Sequence, residues 1–278
     1  MKTSTRLADV TKPPSQPVPA LRYRVAGLSD AGRTRALNED CFAIYPSVVS
    51  TTGHGEGELL AVVADGMGGH AAGEVASHLA VDTVFESWLE SPLGGSAPPD
   101  AVAAKLRAAL ENANEVIYRT SHKRRGHQGM GTTCTTLLLR GTFAYSSHIG
   151  DSRLYLRRGQ AMLQLTDDDS AVMDLVRRGL MTERQASLHP DRNVLIRAMG
   201  THRLVELRSL EIPLPVQPGD VFLLCSDGLH DLLAPEEMGP IVTDSEPAQA
   251  CAALINLANE RGGFDNITAV IVRIDAVP

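Results

Sequence analysis

Several features that mark common protein classes are missing from this 278-residue chain. Its four cysteines (Cys41, Cys134, Cys225 and Cys251) show no C-x-x-C spacing, which favours free, buried thiols in a reducing compartment over disulfides or zinc. No apolar run approaches about 18 residues, so no membrane span is predicted. The first residues also lack the apolar segment of a secretory signal. We therefore expect a cytoplasmic protein.

An excess of basic residues is missing as well. The chain has 26 Lys and Arg against 33 Asp and Glu, and its net charge of −7 argues against general affinity for nucleic acid or anionic membranes. Hydrophobic residues make up 43% of the chain, enough for a substantial core. Residues 1–20 are rich in Pro, Ser and Thr, which predicts a flexible arm. The ordered domain is expected over residues 21–275.

The stretch from Glu58 to Ser77 joins an apolar strand pattern to a glycine-rich turn. The run Leu59 to Ala64 predicts a buried strand that ends at Asp65. Four glycines follow, and apolar residues at helical spacing come after them. A carboxylate at a strand tip beside glycines suits a metal or phosphate site. A connection between a strand and a helix with a capping Asp explains the same pattern equally well.

Three further carboxylates, Asp40, Asp227 and Asp265, also lie beside predicted strand ends. If the sheets bring them together with Asp65, they will raise each other's pKa unless cations are present. All of these candidate ligands are oxygen donors, which favours Mg²⁺ or Mn²⁺ over Zn²⁺. Two such ions about 3.5–4 Å apart can bridge a water and lower its pKa.

Arg35 precedes two acids, Glu39 and Asp40, at one of these strand ends. A surface ion pair with either acid would contribute about 0–1 kcal/mol. Alternatively, its planar guanidinium binds a phosphate while the acids face a cation. In isolation these residues favour the ion pair, but a cation cluster nearby would give Arg35 the phosphate-binding role.

Four short strand patterns between residues 131 and 165 alternate with turn signals, which predicts an antiparallel meander. Asp151 falls in one of its turns, where Asp is a common residue. Residues from about 166 to 193 then form a polar insert with two short helices, the second capped by Thr182. We interpret this insert as a flap beside a site.

Six motifs follow one another along the chain. They are Arg35-x-x-Asn38-Glu39-Asp40, Asp65-Gly66-Met67-Gly68-Gly69-His70, Gly131-Thr132-Thr133, Gly150-Asp151-Ser152-Arg153, Ser226-Asp227-Gly228 and Asp265-Asn266. In order and approximate spacing they resemble the PP2C (PPM) family of metal-dependent protein serine/threonine phosphatases, from about Leu21 to Ile274. The Asp-Gly-Met-Gly-Gly form and the flap resemble the bacterial branch.

The resemblance implies an α+β fold, a four-layer αββα sandwich of two antiparallel β-sheets flanked by helices. It also implies two Mn²⁺ or Mg²⁺ ions per site, and a weaker third. The resemblance implies that Asp65 bridges both ions, that the Gly66 carbonyl binds one of them, and that Asp227 and Asp265 bind the other. It implies that Glu39 and Asp40 lie in or next to the shell through water, and that Asp151 together with Asp227 binds the third ion. The implied role of Arg35 is to bind the substrate phosphate.

Two positions depart from the family pattern. Met67 stands where the eukaryotic branch has its proposed general acid, a His, and Met cannot donate a proton. His70 is the nearest replacement, with a structural hydrogen bond as the alternative role. Asp169 precedes Ser170 where bacterial relatives usually have a His, which puts one local contact in question but removes no matched ligand.

The implied activity is hydrolysis of phosphoserine and phosphothreonine by direct attack of a metal-bridging hydroxide. The implied partners are phosphorylated proteins, including Ser/Thr kinases and their substrates, and a monomer is the default. Two other functions stay open. One is a regulatory module that binds a partner with little turnover, and the other is a hydrolase of nucleotides or other small phosphoesters. All matched acidic positions are intact, which argues against an inactive homologue.

Overall fold

The computed structural model describes residues 21–45, 53–56, 58–68, 72–123, 125–210 and 213–276. The predicted N-terminal arm, residues 1–20, lies outside this part of the chain, and so does His70. The described residues form two antiparallel β-sheets that pack face to face, with helices on the outer side of each sheet.

The first sheet has six strands, and every ladder in it is antiparallel. Its strands are β1 (Leu21–Asp30), β3 (Gly53–Glu56), β9 (Arg153–Arg158), β10 (Ala161–Gln164), β13 (Val221–Cys225) and β14 (Ile267–Ala276). Their order across the sheet is β10-β9-β13-β14-β1-β3.

The second sheet has eight strands and is also antiparallel. Its strands are β2 (Asp40–Tyr45), β4 (Leu59–Met67), β5 (Gly131–Thr132), β6 (Cys134–Arg140), β7 (Phe143–Tyr145), β8 (Ser147–Ile149), β11 (Arg208–Ser209) and β12 (Leu214–Pro215). The order β11-β8-β6-β4-β2 forms its main path, while β7 joins β6 to β12 and β5 pairs with the end of β4.

Helices cover both outer faces. The second sheet packs against α1 (Ala72–Leu89) and α2 (Pro99–Lys123), and a 3₁₀ turn (Arg125–His127) follows α2. The first sheet packs against α5 (Asp227–His230), α6 (Pro235–Asp244) and α7 (Pro247–Glu260). Two short helices, α3 (Ala171–Arg177) and α4 (Glu183–Ser187), lie in the insert predicted to be a flap.

The side chains of β4 show why its sequence is apolar without interruption. Leu60, Val62 and Ala64 face α1 and α2, whereas the alternate residues of the strand face the other sheet. Both faces of the strand are therefore buried, and a strand buried on both faces has no polar alternation. The resulting layers, helix, sheet, sheet and helix, confirm the predicted α+β sandwich.

The prediction of one antiparallel meander between residues 131 and 165 is wrong in one respect. Strand β8 pairs with β6 in the second sheet, whereas β9 pairs with β13 in the first. The chain crosses between the sheets at residues 150–152, where Gly150 has φ +100° and a Cβ would lie 2.6 Å from the Thr133 side chain. Short strand patterns do not reveal which sheet a strand joins, because long-range pairing decides it. This crossing places Asp151 at the end of the sandwich.

Smaller differences concern individual elements. The short strand Gly53–Glu56, for which no prediction is made above, pairs with β1. Asp100 lies in the first turn of α2, which begins at Pro99. The predicted cap of α4 is present: Thr182 accepts from the Gln185 N–H, and the Gln185 side chain accepts from the Thr182 N–H. No helix in the described ranges is long and apolar enough to cross a membrane.

Candidate active site

The carboxylates singled out in the sequence meet at one end of the sandwich. Asp40 of β2 lies directly opposite Asp65 of β4 in the antiparallel register. Asp227 begins α5 just after β13, and Asp265 lies two residues before β14. A cavity of about 590 Å³, here called the carboxylate cavity, opens at this end. Its acidic lining consists of Glu39, Asp65, Asp151, Asp227 and Asp265.

Burial and crowding raise the pKa of several of these acids. Burial is the main cause for Asp65, whose pKa lies well above its ordinary value, and the neighbouring charges of Asp40 and Asp227 add to it. The pKa of Asp151 is also raised well above its ordinary value, and that of Asp227 is raised, again mainly by burial. Burial raises the pKa of Asp40 to about 7. Such a cluster is electrostatically unfavourable in its ionised form unless a cation is present.

Two buried carboxylate oxygens in this cluster, Asp40 Oδ1 and Asp227 Oδ1, have no hydrogen-bond partner. The other oxygen of Asp40 accepts from the hydroxyls of Ser226 (2.7 Å) and Thr268 (2.6 Å). A buried oxygen without a partner is costly, and a cation satisfies it. The donor set therefore fits a cation that prefers oxygen ligands.

The acids are not arranged as a closed cage. Within the part of the chain that the structure describes, no three His, Cys, Asp or Glu side chains form a ready ligand set for one ion. A structural zinc site needs such a set. Mg²⁺ and similar ions need fewer protein ligands, since one or two carboxylates with several waters suffice. The arrangement thus fits Mg²⁺ or Mn²⁺ better than Zn²⁺.

Glycine is required after Asp65. A Cβ on Gly66 would lie 2.2 Å from the carbonyl oxygen of Gly73 and 2.6 Å from that of Glu39. The Gly66 N–H also donates to the Glu39 carbonyl (3.2 Å). The start of α1 and the loop before β2 therefore close in on the Asp65-Gly66 backbone. Any larger residue would push them apart.

Threonines of the Gly131-Thr132-Thr133 motif fix the backbone of Asp65. The Asp65 N–H donates to Thr133 Oγ1 (2.9 Å), and the Asp65 carbonyl accepts from the Thr133 N–H (2.9 Å) and from Thr132 Oγ1 (2.9 Å). Thr133 also shares a 2.7 Å hydrogen bond with the hydroxyl of Ser152. The motif thus links Asp65 to the crossing that carries Asp151.

Asn266 ties the last motif to the first. Its side-chain oxygen accepts from the Glu39 N–H (2.8 Å), and its amide donates to the carbonyls of Ala31 (3.1 Å) and Leu37 (2.9 Å). On its other side, a Cβ on Gly228 would lie 2.1 Å from the Asn266 carbonyl oxygen. The Asp227-Gly228 and Asp265-Asn266 pairs therefore lie against each other.

Arg35 forms an ion pair, but with neither of the acids that the sequence offered. Its Nη2 lies 2.7 Å from the Asp265 carboxylate, and half of its side chain (51%) is exposed. The expected partners Glu39 and Asp40 were close in sequence, whereas Asp265 comes from the opposite end of the chain. Arg35 lines the carboxylate cavity, as a phosphate-binding residue must.

Asp169, the departure from the family pattern, forms a buried ion cluster. Its carboxylate is fully buried and accepts from the guanidinium groups of Arg197 (2.6 and 2.9 Å) and Arg208 (2.8 Å). It also accepts from the Gly150 N–H (3.2 Å), and its own N–H donates to the Gly150 carbonyl (2.9 Å). Asp169 therefore joins the start of the insert to the turn that carries Asp151.

The carboxylate cavity is also lined by residues that sequence reasoning missed. Arg197, His202 and Asn193 line the cavity, and the Asn193 amide lies 3.4 Å from Asp227 Oδ2. Asn114 of α2 is buried and donates to the carbonyls of His202 (3.1 Å) and Arg203 (3.0 Å), which holds this part of the lining in place. Nothing in their local sequence signals these roles, since each depends on contacts distant along the chain.

The proton donor of the reaction is a separate question from the acids that line the cavity. Met67 lines the cavity at the end of β4 and has no proton to give. His70 lies outside the described residues, so its role as an acid stays a prediction.

Comparisons with known proteins agree with this geometry. Residues 33–261 match the protein phosphatase 2C family. The chain is 34% identical over 248 residues to the serine/threonine phosphatase stp of Listeria monocytogenes, covering 89% of this chain and 94% of that protein. It is 37% identical over 254 residues to the serine/threonine protein phosphatase PstP of Mycobacterium tuberculosis, covering 91% of this chain and 45% of that protein.

A crystal structure of the PstP catalytic domain with two manganese ions also resembles the chain. The TM-score is 0.75 at 36% identity, covering 92% of this chain and 99% of that one. The predicted family, fold and enzyme class are thereby confirmed. The chain belongs to the protein phosphatase 2C family of serine/threonine protein phosphatases.

Proposed function

We propose that this protein hydrolyses phosphoserine and phosphothreonine in proteins with the help of two divalent cations, Mn²⁺ or Mg²⁺, held in the carboxylate cavity. The observation that carries the proposal is the convergence of Asp65, Asp227 and Asp265 on one cavity that Arg35 also lines. The two manganese ions of the PstP catalytic domain support it.

The family resemblance implies which residues would hold the cations, and Asp65, Gly66, Asp227 and Asp265 all line the cavity. Asp65 would bind both ions, the Gly66 carbonyl one of them, and Asp227 and Asp265 the other. When bound, such a pair of ions lowers the pKa of a water and orients it for in-line attack on phosphorus. Glu39 and Asp40 would support the set through water, and Asp151 with Asp227 would take a weaker third ion.

Arg35 would change partners during this function. Its guanidinium is now neutralised by Asp265, which is itself a candidate ligand. If Asp265 were to hold a cation, the half-exposed Arg35 guanidinium would be available to bind the substrate phosphate through two hydrogen bonds. Arg35 thus orients the phosphate, while His70, as predicted, would donate the proton to the leaving serine or threonine oxygen.

Direct attack of water is favoured over a phosphoenzyme. Cys134, Cys225 and Cys251 are buried, and burial raises the pKa of each thiol to about 12, so they stay protonated. Ser226 is fully buried, and its hydroxyl donates a hydrogen bond to the Asp40 carboxylate. Neither setting makes an accessible nucleophile.

Phosphorylated proteins are the proposed partners, and kinases among them stay a prediction, as does the monomeric state. All four cysteines are free thiols, three of them buried. Free thiols are typical of proteins in a reducing compartment, which supports the proposed cytoplasmic location.

The test is hydrolysis of p-nitrophenyl phosphate and of a phosphothreonine peptide with Mn²⁺, with Mg²⁺ and with EDTA. We expect turnover with either metal and none with EDTA. Asp65→Asn and Asp227→Asn should abolish turnover, whereas Asp100→Asn, an exposed acid on α2, should retain it. No hydrolysis by the Mn²⁺-loaded protein would favour the regulatory module instead, and a large preference for nucleotides over phosphopeptide would favour the small-phosphoester hydrolase.

A further inference from the structure

We propose that a small cavity beside the carboxylate cavity, here called the side cavity, binds an apolar side chain of the substrate polypeptide within two residues of the phosphorylated one. Phe264 is its main apolar wall. This inference rests on the proposed function, since it names a feature of the substrate that the same site would accept.

The side cavity has a volume of about 130 Å³ and shares part of its wall with the carboxylate cavity. Asn193, Asp227 and Asp265 line both. A polypeptide chain advances at most about 3.3–3.6 Å per residue. A side chain one or two residues from the phosphorylated position is therefore the part of the substrate that can reach the side cavity while the phosphate faces Arg35.

The volume suits one apolar side chain. An engineered cavity of about 150 Å³ in another protein is large enough to bind benzene. The side cavity is slightly smaller and open to solvent, and its apolar wall is formed by Phe264 and Leu232. A side chain of the size of leucine would fill it.

Phe264 is unusually exposed for an aromatic residue next to an active site, at 63%. A single exposed apolar side chain is common and needs no explanation by itself. This one, however, directly precedes Asp265 in the chain and forms the wall of a cavity that shares lining residues with the carboxylate cavity. Its exposed surface is therefore placed where a bound substrate would cover it.

The backbone holds the Phe264 ring in this position before any substrate binds. Gly262 has φ +124°, and a Cβ there would lie 2.3 Å from the ring, so the ring packs directly on the glycine. The Gly263 carbonyl accepts from the Arg33 N–H (2.7 Å), which fixes the loop. An aromatic wall that is already ordered loses little conformational entropy on binding.

Charge in the side cavity favours an apolar occupant over an acidic one. Arg192 is the basic residue of the lining, and its Nε lies 3.3 Å from an Asp231 carboxylate oxygen, so its charge is already matched. Asp227 and Asp265 stand on the shared wall, and in the proposed function their charge is matched by the cations that they would bind. The side cavity therefore offers no net attraction for an anion, and its free surface is the Phe264 ring.

The experiment uses phosphothreonine peptides in which leucine is placed in turn at each of the two residues before and after the phosphothreonine, with glycine at the other three. For the Mn²⁺-loaded enzyme we expect one leucine position to raise kcat/KM by about tenfold or more over the all-glycine peptide, since apolar side chains in a fitted pocket discriminate by roughly 10–200-fold. Equal values within about twofold for all positions would overturn the proposal.

Three variants connect the preference to the side cavity. Phe264→Ser should reduce the leucine-to-glycine ratio to near one, and Phe264→Leu should keep most of it. Leu89→Ser, which changes an exposed apolar residue at the end of α1, should keep the full ratio. A Phe264→Ser enzyme that retains the full preference would exclude the side cavity as its source.

The readouts separate this inference from the proposed function. Hydrolysis of the all-glycine peptide and of p-nitrophenyl phosphate by the unmodified enzyme tests the function alone. If both are hydrolysed and all leucine peptides have the same kcat/KM as the all-glycine peptide, the side cavity does not bind a substrate side chain, and the proposed function stands. If neither is hydrolysed, the proposed function is wrong, and the inference that rests on it is rejected with it.

Discussion

Replacing Asp40 by Asn should change how the stability of the metal-free protein depends on pH. Asp40 is buried, and burial raises its pKa from 3.8 to about 7. Because the folded protein then binds this proton more tightly than the unfolded chain does, the stabilisation is complete below about pH 4 and is lost as pH rises through about 7. Between pH 5 and pH 8 the loss amounts to roughly 2–3 kcal/mol for Asp40 alone.

The overall pH dependence will not isolate Asp40, because the raised pKa values of Asp65, Asp151 and Asp227 add to its loss and a buried histidine acts in the opposite direction. Burial lowers the pKa of His148 to about 4. A histidine kept neutral by folding contributes stability above its ordinary pKa of about 6.5 and loses it as pH falls to about 4. Between pH 5 and pH 8 His148 therefore adds about 2 kcal/mol, which nearly cancels the contribution of Asp40.

The comparison of variant with unmodified protein isolates Asp40. Asn keeps an oxygen that can accept from Ser226 and Thr268, and any cost of its new amide is the same at both pH values. The stability of the Asn variant relative to the unmodified protein should then rise by about 2–3 kcal/mol from pH 5 to pH 8. The Asn also removes a charge that raises the pKa of Asp65, which acts in the same direction.

The assay is urea unfolding in EDTA at both pH values, with free energies from linear extrapolation. Asp100→Asn serves as the control, because this acid is exposed and lies outside the carboxylate cavity. Saturating Mn²⁺ should shrink the Asp40 effect, since a nearby cation favours the ionised carboxylates. A relative stability of the Asn variant that is flat or falls between pH 5 and pH 8 would refute the reasoning.

Three other substitutions test the supports of the site. Thr133→Val leaves the buried Asp65 N–H without its acceptor and should lower the free energy of unfolding by about 1–3 kcal/mol; an unchanged urea midpoint would contradict the contact. Asp169→Asn removes the buried carboxylate that two partly exposed guanidinium groups share and should cost about 1–3 kcal/mol, with faster proteolysis of the insert. Gly228→Ala places a Cβ 2.1 Å from the Asn266 carbonyl oxygen and should sharply reduce Mn²⁺-dependent turnover. Normal turnover would show that the backbone around Asn266 can move to accept the methyl group.

Local sequence was enough to place the acids but not to pair them. Asp65 and Asp227 follow apolar runs that can only be buried strands, so their positions at strand ends were predictable. The opposition of Asp40 and Asp65 depends on the register of two strands, and no short pattern reports register. The family resemblance supplied that information, since it implied one common site.

Contacts between distant segments explain what sequence reasoning missed or misassigned. Arg35 was matched with acids four and five residues away, but its partner, Asp265, is 230 residues along the chain. Asp169 was noted only as a departure, and its two arginine partners come from a later segment. Polar side chains select partners by three-dimensional proximity, so these pairs become visible only once the fold is known.

The acids of the site and the loop residues that line the same cavity are held in place by different parts of the fold. The acids lie at the ends of strands such as β4, whose faces are both buried, so the core of the sandwich fixes their positions. The other lining residues, Asn193, Arg197 and His202, belong to loops held by single side chains such as Asn114 and Asp169. Substitutions among the acids should therefore affect every phosphoester alike, because each one needs the same attack on phosphorus. Substitutions in the loops should change which polypeptides are accepted, and that difference can be read from the ratio of peptide to p-nitrophenyl phosphate turnover.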